Sequence, residues 1–199
     1  VFFNCFGGKS NLFIKGIFML YKLDGKRPVI GKDTYISELA QVIGDITIGN
    51  ECYIGHGAVL RGDYGRILIM DGTAIEEGVI IHAPPGETCF IGSKVTVGHG
   101  AIIHSKNIGD LAVIGMGAVI SLGSEIGERS IIGEGSVVQQ NKVVSSEVVA
   151  AGNPVRIVRK VNSKDKEYWD WGKQLYIDLA KKYLRSGIEP LVQSASVVT

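Results

Sequence analysis

Cysteine is scarce in this chain. The three present among 199 residues, Cys5, Cys52 and Cys89, are odd in number, widely spaced and without a C-x-x-C pair, which excludes a disulfide framework and fits a reducing compartment, the cytoplasm by default. Charge of one sign is also missing. Lys and Arg total 21 against 20 Asp and Glu, for a formal net charge of +1, and no basic or acidic block exceeds a few residues, so neither a nucleic-acid track nor an anionic-membrane surface is expected. Long apolar runs are absent too. Residues 1–18 are apolar but interrupted by "NCFGGKSN", so they lack the core of a signal peptide or membrane span and read as a leader or added extension ahead of Met19. The "GGKS" within them is no phosphate loop, because the required first glycine would fall at Phe3. The expected partners are small molecules or further copies of the chain, folded as one sizeable domain.

What the chain has in excess is glycine, 27 residues against only five prolines, and that excess is periodic. An aliphatic residue recurs every six positions at Ile30, Ile36, Val42, Ile48, Ile54 and Leu60. The series resumes at Ile69, Ile75 and Ile81, again at Ile91, Val97 and Ile103, and finally from Ile108 through Ile114, Ile120, Ile126 and Ile132 to Val138. Segments such as "IGHGAV", "VGHGAI" and "IGMGAV" repeat the unit, whereas a helix would need apolar spacings of three and four. Each unit predicts a short strand and a corner, and three units predict one coil of a parallel β-prism spanning 19–160. A β-sandwich would require longer strands alternating every two residues. The pieces "RGDYGR" and "APPGETCF" break the count and predict local loop insertions.

From 161 to 188 the pattern changes to an amphipathic helix. Ser163 is the expected N-cap, Trp171, Leu175, Leu179 and Tyr183 the expected apolar stripe, and Gly187 the stop. Residues 189–199 read as a frayed tail.

Counting rungs gives the four histidines their places. His82 and His104 each follow the inward residue of rungs three apart, so they stand in one column on one wall, about 4.8 Å apart at the backbone. Two imidazoles so placed can lean together toward the nitrogen–nitrogen edge of about 3.3 Å that zinc–nitrogen bonds of about 2.0–2.1 Å require. His99 lies on another wall of the same chain, and a second copy packed against this face could bring its His99 to the pair. A closed trimer would repeat that contact three times. His56 shares the offset of His99 but has no histidine partner one coil away, so it reads as a hydrogen-bonded surface or interface residue. Arg61 precedes His82 in the column, with Asp63 as its natural partner, and the two read equally as an interface salt bridge or as substrate-positioning groups. Glu76 lies one coil below His99, where a carboxylate could orient a metal-bound water or accept its proton. Glu77 reads as a corner residue or a partner for Arg61.

These residues resemble the γ-class carbonic anhydrases, particularly their bacterial homologues from phenylacetate-degradation and carnitine operons, over about residues 20–191. The resemblance is carried by "LRGDYGRILIMDGTAIEEGVIIHAPPG", "VTVGHGAIIHS", "VIGMGAVI" and "AAGNPVRIVR". It implies an all-β, single-stranded left-handed parallel β-helix with a C-terminal α-helix. It further implies a homotrimer holding zinc, or iron or cobalt, through His82 and His104 of one chain and His99 of the next. The implied reaction is reversible hydration of carbon dioxide to bicarbonate by metal-bound hydroxide, with Arg61 and Asp63 as interface and site residues. The chain departs from the family pattern in four places. Glu76 replaces a common glutamine, Ala74 replaces a common asparagine, Tyr64 stands where the archaeal prototype has a glutamate, and the acidic loop shrinks to "APPGET" with Glu87 its only carboxylate.

Two other functions fit the repeat. One is acyl transfer or thioester hydrolysis on a coenzyme A substrate, which needs one basic histidine and no converging triad. The other is a noncatalytic trimeric scaffold stabilised by its metal.

Overall fold

The computed structural model describes residues 20–189. The leader at 1–18 and the tail beyond its first residue lie outside them. Within them, strands mostly two residues long, such as Tyr53–Ile54, Thr96–Val97 and Ile102–Ile103, stack in parallel ladders. Three consecutive strands complete one coil, giving a solenoid with three walls.

The six-residue spacing maps directly onto three inward columns. Ile30, Ile48, Ile69, Ile91, Ile108 and Ile126 pair in register along the first wall. Ile36, Ile54, Ile75, Val97, Ile114 and Ile132 do so along the second, and Val42, Leu60, Ile81, Ile103, Ile120 and Val138 along the third. Val144 and Ala150 extend the first two columns by one coil beyond the residues the spacing picked out. Apart from half-buried Ile30, all of these are buried and form one apolar core, each aliphatic side chain contributing about 1.5–3 kcal/mol by leaving water. Backbone groups pair between coils, as in the Val59 N–H donating to the Val79 carbonyl at 2.8 Å.

The first insertion takes a particular form. Strands Gln41–Ile48 and Val59–Ile69 run unbroken across the corner between the third and first walls, and their register shifts where Gly44 and Ile46 face Gly62 and Ile67. The extra residues bulge outward at Asp63 to Arg66. That bulge carries Asp63 away from its own rung toward the next coil.

Glycine takes the left-handed conformation at only part of the corners. At the corner between the first and second walls the left-handed conformation is taken by Asp33, Glu51, Lys94, Leu111, Arg129 and Glu147, with φ between 51° and 61°. Glycine matters at the next corner, where Gly98 and Gly100 flank His99. A Cβ on Gly98 would come within 2.9 Å of the Ile114 carbonyl oxygen, and Gly100 has φ 69°.

The helix α1, Ser163–Ser186, lies along the second wall. Its N-cap is Asn162 rather than Ser163, because Asn162 and Asp165 satisfy each other's backbone N–H groups in a capping box at 2.8 and 3.0 Å. The apolar face also differs from the expected stripe. Residues four apart advance about 40° beyond a full turn, so Trp171 and Leu175 rotate away and are 59% and 46% exposed. The face that packs contains Lys173, Ile177 and Ala180, with Tyr176, Leu179 and Tyr183 set against Tyr35, Tyr53 and Ala74. Ion pairs from Lys166 to Glu147, Asp170 to Arg129 and Lys181 to Glu51 tie the helix to the left-handed corner residues. No helix of the described residues is long and apolar enough to cross a membrane.

Candidate metal centre

His82 and His104 follow Ile81 and Ile103, which pair in register on adjacent coils. Their rings stack with centroids 4.8 Å apart and planes inclined by 26°. His82 Nδ1 lies 2.6 Å from His104 Nε2, closer than the edge expected between two ligands of one ion. At that distance the nitrogens share one proton, and an ion would replace it by spreading the rings about 0.7 Å.

The other nitrogen of His82 is engaged by the bulge. His82 Nε2 lies 3.1 Å from Asp63 Oδ1, and Arg61 Nε lies 3.4 Å from Asp63 Oδ2. Arg61 and His82 are register partners, as the rung count required. Burial works to raise the Asp63 carboxyl, but Arg61, the Tyr64 N–H, its own N–H and His82 outweigh it and hold it below the usual carboxylate range. An ionised Asp63 takes the Nε2–H of His82 and turns its Nδ1 lone pair toward His104, the arrangement in which a carboxylate sets the tautomer of a metal-binding imidazole. Burial, then the neighbouring His82 and Arg61, lower the His104 imidazole below its ordinary value against a weaker pull from Glu87. The His82 Nδ1 lone pair and the His104 Nε2 thus face each other across one shared proton, and a divalent ion would take that proton's place.

His99 stands apart from this pair, on the corner between the second and third walls. Its Nδ1 lies 2.7 Å from Glu77 Oε2, and its Nε2 and backbone N–H each lie 3.1 Å from Glu76 Oε2. Glu77 does not pair with Arg61. Its other oxygen accepts the Tyr53 hydroxyl at 2.6 Å. Glu76 is buried, and burial lifts its carboxyl above the usual range against the opposing pull of the Tyr176 hydroxyl and His99. Among the described residues no single chain gathers three metal-binding side chains. His56 is hydrogen-bonded, its Nδ1 2.5 Å from the Ser37 hydroxyl.

Ala74 is covered by α1, and Tyr64 is exposed on the bulge. The rung count missed Tyr53 and Tyr176, which reach the two glutamates from the wall and from the helix. Tyr53 had a visible signal, since a large aromatic at an outward wall position needs a cover. Tyr176 had none, because it depends on how α1 rotates.

Between the histidine column and the His99 corner the third wall presents Ile80 and Ile102 to solvent, and Met116 stands on the next coil of that corner. Ile80, Ile102 and Met116 are 45%, 44% and 47% exposed.

A family model described as bacterial transferase hexapeptide (six repeats) matches residues 27–62. Gamma carbonic anhydrase 2, mitochondrial, of Arabidopsis thaliana is 35% identical over 162 residues, covering 78% of this chain and 58% of that protein. This chain therefore spans less than two thirds of the plant protein's length. The carnitine operon protein CaiE of Salmonella typhimurium is 33% identical over 177 residues, covering 87% of this chain and 89% of that one. Among solved structures, a Bacillus cereus chain named for acetyltransferase activity superposes with a TM-score of 0.80 at 31% identity, covering 83% of this chain and 96% of its own.

Proposed function

The chain belongs to the hexapeptide-repeat family of left-handed parallel β-helices that includes the gamma carbonic anhydrases and the CaiE proteins, and from that premise we propose that it hydrates carbon dioxide reversibly to bicarbonate. The proposed centre lies between subunits of a homotrimer, with His82 and His104 of one chain and His99 of the partner subunit as ligands. Zinc is the proposed metal, and the same imidazole donors accept ferrous iron or cobalt. When bound, such an ion supplies the Lewis acidity that makes water a nucleophile near neutral pH. The observation that carries this reading is the convergence of two imidazole nitrogens at 2.6 Å, with a carboxylate and a guanidinium behind them.

The protein's own groups have distinct tasks in this reading. Asp63 Oδ1 keeps the proton on His82 Nε2, and Arg61 keeps Asp63 ionised. Glu76 Oε2, beside the third ligand, takes up the proton that hydration releases, a task suited to a carboxyl whose affinity for protons is raised by burial. The exposed apolar residues Ile80 and Ile102 of the third wall and Met116 of the adjoining corner support assembly, because a trimer would remove them from water. Cys52 and Cys89 are free and buried, consistent with a reducing compartment such as the cytoplasm.

Metal analysis of anaerobically purified protein, paired with a stopped-flow hydration assay, tests the proposal. His104→Ala is expected to lose both metal and hydration. Asp63→Asn is expected to keep the trimer and weaken metal binding about 10–100-fold. A metal-loaded protein no faster than its His104→Ala variant would exclude the carbonic anhydrase reading.

A second reading is favoured by the likeness to the Bacillus cereus chain named for acetyltransferase activity. Acyl transfer from a coenzyme A thioester would survive complete chelation of metal. Product analysis with and without chelator separates the two.

A further inference from the structure

The corner between the first and second walls lies opposite the third wall, away from the histidine column, and α1 is tied to it by ion pairs. A cleft of about 510 Å³ runs between that corner and the helix, a size in the range of small-molecule sites. Leu111 on the corner and Ile177 on the helix give it an apolar lining, and Lys173 stands one turn before Ile177 on the same helix face. The proposed hydration reaction uses none of these residues.

Lys173 is the unusual member. It is only 3% exposed, yet no carboxylate pairs with it among the described residues. The two carboxylates nearest to it are already taken, Asp170 by Arg129 at 3.0 and 3.1 Å and Glu76 by His99 at 3.1 Å. An ammonium has three donors, and the acceptors within reach, the Thr96 hydroxyl and the Ala112 carbonyl, both lie at 3.5 Å. Bonds between a charged amine and a carboxylate close to about 2.7–2.9 Å, so two donors are loosely held and the third has no acceptor among the described residues. Burial pushes the amine down to about 8, which leaves it charged at pH 7. A buried charge without a partner is costly, and a ligand that carries an anionic oxygen into the cleft would supply the missing acceptor.

The rest of the cleft selects the kind of anion. Arg129 is not free to join Lys173, because its Nη1 holds both oxygens of Asp170. The buried end of the cleft therefore offers one unpaired positive charge, without the converging forks that recognise a phosphate. Asp110 and Glu128 stand exposed on the same cleft against the single exposed cation Lys94. They oppose a ligand with more than one negative charge. Leu111 and Ile177 suit a short aliphatic chain behind the head group.

We propose that this cleft binds a small aliphatic monocarboxylate, its head group paired with the Lys173 ammonium and its chain against Leu111 and Ile177. The site is separate from the metal centre and stands or falls independently of the carbonic anhydrase reading.

The experiment titrates the full-length wild type and Lys173→Met with sodium propionate at pH 7 and constant ionic strength, followed by tryptophan fluorescence, since the Trp169 ring centre lies 5.6 Å from Nζ. Sodium phosphate and sodium bicarbonate are titrated in the same way, with sodium chloride as baseline. The wild type is expected to respond saturably to propionate, and Lys173→Met to bind it at least about tenfold more weakly. His104→Ala, whose metal centre is disabled, is expected to bind propionate as the wild type does. Glu128→Gln, which leaves the amine in place, is expected to narrow the preference for propionate over phosphate by roughly twofold. In ¹³C-lysine-labelled wild type, one lysine Cε resonance is expected to move with the fluorescence midpoint, a readout that does not need Lys173→Met to fold. No saturable response in the wild type, or an equal one in Lys173→Met, would overturn the proposal. Tighter binding of phosphate or bicarbonate than of propionate would overturn the aliphatic carboxylate as the ligand, and loss of propionate binding in His104→Ala would move the site to the metal centre.

Discussion

Co-refolding His99→Ala with the double variant His82→Ala/His104→Ala is expected to recover about a quarter of the wild-type metal sites and hydration rate, although each variant alone has neither. In a closed trimer each interface joins the histidine column of one chain to the His99 corner of the next. The first variant keeps an intact column, and the second keeps an intact corner. Random mixing at equal amounts puts a good column on half of the interfaces and a good corner on half, independently, which gives the quarter. The distances within one chain motivate the experiment, since His82 and His104 converge at 2.6 Å while His99 is engaged by Glu76 and Glu77 on a different corner. Were all three ligands to close on one ion inside a single chain, no mixture could repair either variant, and recovery would be nil. Trimer formation by sedimentation, with metal content measured on the same samples, keeps loss of assembly distinct from loss of the site. The apolar residues Ile80, Ile102 and Met116 remain unaltered in both variants, so the surface expected to drive association is untouched.

The parts of this arrangement that could be read from the residues are those governed by counting. A parallel ladder repeats every coil, so the position of an inward aliphatic residue fixes its neighbours above and below. Arg61, His82 and His104 could be aligned across two insertions because the inward residues on both sides of each insertion stay in register. Counting carried no information about side-chain torsions. It left open which nitrogen of each histidine faces the other, and it expected a ligand edge of about 3.3 Å where the rings close to 2.6 Å. Asp63 illustrates the same limit. Its place in the chain suggested Arg61 as partner, and only the outward bulge of the strand shows that it also reaches His82. The helix was legible as a helix but not in its rotation, since Trp171 and Leu175 look as apolar as the residues that pack. Lysine at 173 reads as a solvent position and is instead among the most buried side chains of α1, 3% exposed.

Lys173 carries a pH-dependent cost to stability. Its Nζ lies 3.5 Å from both the Thr96 hydroxyl and the Ala112 carbonyl and 5.6 Å from the Trp169 ring centre, and it makes no ion pair among the described residues. Burial pushes its amine down to about 8, with Arg129 adding to the effect and Asp170 and Glu76 opposing it. The remaining charged groups around the adjacent cleft of about 510 Å³ are Lys94, Asp110 and Glu128. They do not neutralise it. Asp170 is already bound by Arg129, with both carboxylate oxygens at 3.0–3.1 Å from Nη1. Between pH 8 and the unfolded value of 10.5, the unfolded chain holds the extra proton on this amine and the folded chain releases it, so the Lys173 contribution to folding becomes more favourable as pH rises. Below that window the folded protein carries the whole cost of burying the charge, about 3 kcal/mol. Lys173→Met keeps the unbranched stem and its packing while removing the ammonium. The variant is therefore expected to be more stable than the wild type at pH 7 by up to about 3 kcal/mol. That difference should shrink as pH approaches 10, as measured by denaturant unfolding of metal-free trimers at equal concentration. Parallel stability curves across that range would mean that the amine escapes to solvent in the folded state, and with it would go the rotation of α1 that buries Lys173 against Thr96 and Ala112.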